Sequence, residues 1–314
     1  NNFIRYLMSK KLFSLTILFS VIFSTFPADI EKTTHTFAER DDVSLQLDIY
    51  KSNSDGTCQP VLLFVFGGGF KGGTRDQESY LDYFRYFAEN SFTVVAIDYR
   101  LGLKNEKAPG VFNQKPLRRA IGLAVEDLYT ATDYLIKNAD KLLIDTSKVI
   151  ISGSSAGAIT VLHADYEHRN GMPSDTILSA GFQYAGVISF AGAIFSREGL
   201  PDYAMAPAPT LFFHGSADKL VPYRQIRFLN LGMFGSKPLA KRFKARSFPY
   251  LFYSMENIGH DVASYPIEKF QPEVLRFIWD YVFDKKPLMI DINYFDPNQE
   301  SKYNQSAKYY YNLD

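Results

Sequence analysis

Lys148-Val-Ile-Ile-Ser-Gly-Ser-Ser-Ala-Gly-Ala158 is the stretch that decides how this chain is read. Lys148 to Ser152 is a short apolar run of the kind that is buried on both faces of a parallel sheet. Small residues follow, Gly153-Ser154-Ser155-Ala156-Gly157, and then residues suited to a helix. A sharp strand-to-helix turn can hold a serine in a strained backbone conformation, its hydroxyl projecting above the sheet. The flanking residues must then be small, or the neighbouring backbone would clash with the elbow. By position the presented serine is Ser155, not Ser154.

Outward from the elbow, the same alternation of elements continues. Ser44 to Tyr50 alternates apolar and polar residues, while Val61 to Phe66, Phe92 to Tyr99, Gly186 to Phe190, Thr210 to Phe213 and Tyr250 to Tyr253 are apolar runs. Between them, Leu117, Ile121, Ala124, Leu128, Ala131 and Leu135 share one helical stripe, and Val274, Leu275, Ile278, Trp279 and Val282 share another. Strands alternating with helices predict an α/β domain: a mostly parallel central sheet covered by helices on both faces, with ligands bound beyond the carboxyl ends of the strands. No internal repeat and no Pro/Gly-rich linker divides it.

A second glycine cluster, Phe66-Gly67-Gly68-Gly69-Phe70, directly follows a predicted strand. Glycines there let backbone N–H groups approach a substrate oxygen, so Gly68 and Gly69, with the N–H of Ala156 after the serine, predict an oxyanion hole. Neither a G-x-G-x-x-G nor a P-loop pattern can be read at this position, which argues against a phosphate loop.

A nucleophilic serine needs a base, and the base needs an orienting carboxylate. In α/β hydrolases, whose elbow this stretch resembles, the partners follow the serine in the order acid, then histidine. Of the histidines, His35 precedes the serine, His163 lies on the helix that the elbow opens, His168 precedes any acid loop, and His214 ends a strand just ahead of the acid. That leaves His260, in Ile258-Gly-His-Asp261 after the strand Tyr250 to Tyr253. The acid is assigned to Asp218 in His214-Gly-Ser-Ala-Asp218, again just past a strand. Asp261→Asn is expected to leave most activity intact.

These residues resemble a serine esterase of the α/β-hydrolase superfamily, in the branch with a His-Gly-Gly-Gly-type oxyanion loop. That branch includes hormone-sensitive-lipase-like and carboxylesterase-type enzymes and secreted bacterial esterases of acylated plant polysaccharides. The resemblance runs from about Val61 to Phe283 and includes Asp98-Tyr-Arg-Leu101, Val125-Glu-Asp127 and Gly259-His260. It implies Ser155 as nucleophile, His260 as general base and acid, Asp218 as orienter and Gly68, Gly69 and Ala156 as oxyanion donors. No cofactor and no metal is implied. Phe66 departs from the pattern, since many members have histidine there. Asp98, Arg100 and Asp127 read as a structural polar network.

Composition narrows the partners. The 314 residues carry 34 basic and 34 acidic side chains, so no electrostatic footprint for nucleic acid is present. A single cysteine, Cys58, excludes an intramolecular disulfide and any thiolate metal cluster. Arg5, Lys10 and Lys11 before the apolar run Leu12 to Phe26 have the order of a secretory signal peptide, which predicts a secreted or periplasmic protein without a stable membrane span after processing. The expected organisation is a signal peptide over residues 1–28, a catalytic domain over 29–283, and a polar, Tyr- and Asn-rich tail over 284–314 that forms a surface wrap or a free end.

The expected substrate is a small-molecule or oligosaccharide ester bearing an acetyl or feruloyl group. Phe70, Tyr99, Phe190, Phe195 and Val221 are the candidate pocket residues, with core packing the alternative role for any one of the rings. The short segment between Asp165 and Ala185 predicts no large lid and an open site. Two rival readings are a prolyl-oligopeptidase-like peptidase and an inactive hydrolase fold used for binding. The first usually carries a large extra domain, and the second would show a lost triad residue; neither mark is present. The sequence does not determine oligomeric state.

Overall fold

The computed structural model describes residues 30–40, 43–52, 56–106, 113–172, 176–179 and 181–311. The expected signal peptide therefore lies outside the described residues. In chain order the strands are β1 (Ile30–Arg40), β2 (Val43–Ser52), β3 (Gln59–Val65), β4 (Thr93–Ile97), β5 (Ile144–Ser154), β6 (Gly186–Phe190), β7 (Ala193–Ser196), β8 (Thr210–Gly215), β9 (Gln225–Phe228), β10 (Leu231–Gly235), β11 (Tyr250–Met255) and β12 (Met289–Tyr294). The helices are α1 (Glu78–Glu89), α2 (Lys115–Lys137), α3 (Ala139–Leu142), α4 (Ala156–Arg169), α5 (Ser236–Ala245), α6 (Tyr265–Lys269), α7 (Gln271–Phe277) and α8 (Ala307–Tyr310).

The main sheet runs β1-β2-β4-β3-β5-β6-β8-β11-β12. β2 is antiparallel to both β1 and β4, and every later pairing in this sheet is parallel. The apolar runs explain this arrangement, because each residue of β4 and β6 is buried, as a strand covered by helices on both faces requires. The chain steps from β3 to β4 in one direction and from β4 past β3 to β5 in the other. Right-handed crossovers therefore place α1 and α2 on opposite faces. α1 packs with α6 and α7, and α2 with α4.

That reversal of strand order opens a crevice at the carboxyl ends of the central strands. Gly67 to Gly69 follows β3, Ser155 follows β5, Asp218 follows β8 and His260 follows β11. All the sequence-assigned groups thus stand at one edge of the sheet.

Three features were not legible beforehand. β1 is a polar edge strand with a half-exposed pattern. β7, β10 and β9 form a separate three-stranded antiparallel sheet. The polar segment beyond residue 283 joins the body: β12 pairs in parallel with β11 at the edge of the main sheet, and the residues after it return toward the crevice. Among the described residues no helix is long and apolar enough to cross a membrane.

Beside the crevice lies a buried ion pair. Arg100 donates through Nε and Nη2 to both oxygens of Asp127 at 2.8 to 3.0 Å, and its backbone N–H donates to the same carboxylate at 2.8 Å. Nη2 also reaches Glu126 at 2.9 Å. These groups tie the turn after β4 to α2.

Candidate active site

At the end of β5 the backbone turns sharply through Ser155, which has φ 52° and ψ −112°, a left-handed region costly for a residue with a side chain. Its N–H donates to the Phe190 carbonyl at 2.9 Å, and its own carbonyl accepts from Ile159 at 2.9 Å, opening α4. The flanking glycines are sterically required. A Cβ on Gly153 would run into the Gly157 carbonyl, and one on Gly157 into the Val65 carbonyl of β3. Ser154 is engaged elsewhere, donating to the Ala263 carbonyl at 2.8 Å.

Ser155 Oγ and His260 Nε2 are 2.8 Å apart, and His260 Nδ1 lies 2.8 Å from Asp218 Oδ2. An ionised carboxylate only accepts, so Nδ1 carries the imidazole proton. Nε2 is left free to accept from the serine hydroxyl. Asp218 Oδ1 accepts from the N–H groups of Leu220 and Val221 at 2.9 and 3.0 Å. Burial alone would raise the Asp218 carboxyl, but hydrogen bonds from His214 and His260 outweigh it and hold the group well below the ordinary carboxylate range. His214, fully buried, donates from Nε2 to the Val221 carbonyl at 3.2 Å and accepts at Nδ1 from Ser236 at 2.8 Å. It thus braces the acid loop. His163 accepts at Nε2 from the Phe195 N–H at 2.9 Å, and His168 lies 2.6 Å from the Phe182 carbonyl.

Gly68 and Gly69 have φ of 114° and 63°. A Cβ on Gly68 would meet the Gly72 carbonyl, so only glycine fits this turn. Their N–H groups, and that of Ala156 at the start of α4, make no hydrogen bond within the described residues. These three unengaged donors lie on the two loops that flank Ser155.

The crevice deepens into a cavity of about 270 Å³. Gly69, Ser155 and Ala156 lie on its wall, together with Phe70, Phe195 and Val221 from the expected pocket set. Tyr99 and Phe190 do not line it, which corrects the sequence reading. Tyr99 stacks on Phe66 with ring centroids 4.4 Å apart and donates to the Phe66 carbonyl at 3.1 Å. Phe66 thereby occupies its position as a core ring. Phe190 stacks on Phe213, at 5.5 Å, inside the sheet packing. Both side chains follow strand ends but point into the interior, a distinction that position in the sequence cannot supply.

The rest of the wall was missed. Ile226, Phe228, Leu231 and Met233 of the small sheet form one side, and Tyr310 and Tyr311 another. The only sequence signal for the latter was the aromatic run Tyr309-Tyr310-Tyr311 in an otherwise polar segment. Asp261 also has a defined place, since it accepts from Ser301 Oγ and from the N–H groups of Lys302 and Tyr303. Asparagine at this position would keep one oxygen for the Lys302 and Tyr303 N–H groups, and kinetics of Asp261→Asn test the tolerance expected from the sequence. Among the described residues, no group of three or more His, Cys, Asp and Glu side chains is arranged to hold a metal ion.

Comparison with known proteins agrees with this architecture. The family model described as BD-FAE matches residues 47–194. The chain is similar to acetylcholinesterase of Gallus gallus, with 30% identity over 138 residues, covering 44% of this chain and 17% of that protein. It is also similar to the "Crystal protein" of Dictyostelium discoideum, with 30% identity over 164 residues, covering 49% of this chain and 28% of that one. The chain therefore spans less than a third of the length of either relative. Among solved structures it resembles Thermogutta terrifontis esterase 2 phosphoramylated by tabun, with a TM-score of 0.61 and 21% identity over 82% of this chain and 96% of that one. The native form of the same esterase gives a TM-score of 0.58 at 21% identity, over 87% and 95%. At this identity the likeness is one of fold.

Proposed function

We propose that this chain, whose fold is that of the α/β-hydrolase esterases it resembles, is a serine-dependent hydrolase of carboxylic esters, acting on short acyl groups. One observation carries this reading: the hydrogen-bonded series Asp218, His260, Ser155 opens on an apolar cavity beside three unengaged backbone donors.

In the proposed reaction the ester carbonyl sits against Ser155, with its oxygen toward the N–H groups of Gly68, Gly69 and Ala156. Ser155 Oγ attacks the carbonyl carbon as its proton passes to His260 Nε2. Asp218, kept ionised, stabilises the imidazolium that forms. In this reading the tetrahedral oxyanion takes the three donors, which have no hydrogen bond within the described residues to give up first. His260 then returns the proton to the departing alcohol, leaving an acyl group on Ser155. A water molecule, deprotonated by His260, attacks this acyl-enzyme and releases the acid.

The cavity supports a short acyl chain, because about 270 Å³ is near the lower bound of ~300 Å³ for small-molecule sites. Its aromatic lining, with Phe70, Phe195 and Phe228, favours a second reading in which the acyl group is feruloyl. A panel of acetyl, butyryl, octanoyl and feruloyl esters separates them. We expect the highest kcat/KM for acetyl or butyryl, with octanoyl at least ~10-fold lower for the methylenes that a cavity of this volume cannot take in. A feruloyl ester ranking first would replace the short-chain reading. Turnover of a peptide amide with no ester turnover would make the chain a peptidase, and no Ser155-dependent turnover of either would leave a binding protein.

A further inference from the structure

Residues 301–311 touch three of the four loops that carry the proposed reaction, those of the histidine, the acid and the glycines, although that reaction uses none of them. On the histidine loop, Asp261 accepts from Ser301 Oγ at 2.7 Å, from the Lys302 N–H at 2.9 Å and from the Tyr303 N–H at 3.1 Å. The His260 N–H donates to the Tyr303 carbonyl at 3.0 Å, and the Gly259 N–H donates to Ser301 Oγ at 3.0 Å. On the acid loop, the Ala307 N–H reaches the Lys219 carbonyl at 3.4 Å. On the glycine loop, Tyr311 Oη donates to the Gly69 carbonyl at 3.1 Å. The Tyr310 ring lies so near that a Cβ on Gly69 would sit 2.6 Å from its Cε1. Lys71 Nζ stands 5.9 and 5.8 Å from the centroids of the two rings.

We propose that residues 301–311 are a strap that holds the histidine loop and the glycine loop in register, and that Tyr310 is a specificity-determining wall which limits acyl length. This rests on the ester-hydrolase reading. The physical case begins with entropy. The loops after β3, β8 and β11 lack ladder partners, and each ordered residue costs ~1–2 kcal/mol of backbone freedom. A segment that satisfies the Asp261 carboxylate at one end and the Gly69 carbonyl at the other removes that freedom from both loops at once. Tyr311 acts through Gly69, whose N–H is a proposed oxyanion donor, so it is a positioning residue. Tyr310 stands on the cavity wall with Ala307 and Tyr311, and the Tyr311→Phe change keeps that ring while removing only its hydroxyl.

The test compares full-length wild type with Tyr310→Ala and Tyr311→Phe on acetyl and octanoyl aryl esters. Amide hydrogen exchange is followed across residues 67–73 and 301–311. In Tyr310→Ala the octanoyl-to-acetyl ratio of kcat/KM should rise at least ~10-fold, as expected when a pocket gains room for several methylenes. In Tyr311→Phe the ratio should stay put while kcat falls about tenfold at unchanged KM, less than the ~10²-fold of deleting an oxyanion donor. Exchange should rise at 67–73 as well as at 301–311. An unmoved acyl ratio in Tyr310→Ala overturns the wall, and exchange at 67–73 unchanged in Tyr311→Phe overturns the strap. If wild type hydrolyses no ester, the reading of function has failed while exchange still decides the strap.

Discussion

Ser155→Ala lowers kcat toward a short-chain aryl ester by at least ~10⁴-fold, as expected for loss of a triad nucleophile, while Ser154→Ala leaves it within about tenfold. The two serines are adjacent, yet their surroundings divide the roles. Ser155 sits at φ 52° with its Oγ 2.8 Å from His260 Nε2. Ser154 points its hydroxyl at the Ala263 carbonyl, so its loss removes one hydrogen bond worth about 1 kcal/mol and no reacting atom. Asp218→Asn should resemble Ser155→Ala, with kcat down about 10⁴-fold, the size of effect that the same substitution has in a serine protease triad. An amide at that position can donate to His260 Nδ1 and so leave the imidazole proton on the nitrogen that faces Ser155. Steady-state kinetics, with circular dichroism to verify folding, check all three variants. A collapse in Ser154→Ala with Ser155→Ala active would reverse the assignment of the elbow.

Arg100→Ala costs about 3–5 kcal/mol of stability, the range for leaving one charge of a buried pair without its partner. The Asp127 side chain is fully buried, and the Arg100 side chain is only 12% exposed. Once the guanidinium is gone, the carboxylate keeps the backbone N–H of residue 100 and loses its Nε and Nη2 donors. The cost therefore comes from a stranded charge more than from a lost attraction. Arg100→Ala combined with Asp127→Asn should recover a large part of the loss, because a neutral amide is cheaper to bury. Urea unfolding midpoints at constant slope measure this. A single-variant loss below about 1 kcal/mol would mean that water reaches the pair.

Strand and helix order was readable because burial leaves a periodic imprint: strands covered on both faces become unbroken apolar runs, and α2 shows one stripe. Asp98-Tyr-Arg and Val-Glu-Asp127 could be recognised as polar residues in apolar surroundings, which is why they read as structural. β1 and β12 left no such imprint, since both are edge strands with much of their surface exposed. The small sheet of β7, β10 and β9 was equally silent. Its outermost strand, β9, is exposed throughout, so no buried run marked this side of the cavity wall.

The elbow was legible in the sequence itself, while the order of its partners came with the family resemblance. Gly153 and Gly157 are demanded by backbone within a few ångströms of Ser155, a local steric condition that leaves a local signature. The shape of the pocket was decided only by tertiary structure. Phe195 and Phe190 both lie near strand ends, yet one faces the cavity and the other the core, because the direction of a side chain depends on which elements pack around it. The contact of Tyr311 with Gly69 joins residues 242 positions apart. Periodicity reports that a residue is buried; only the folded chain determines what it is buried against.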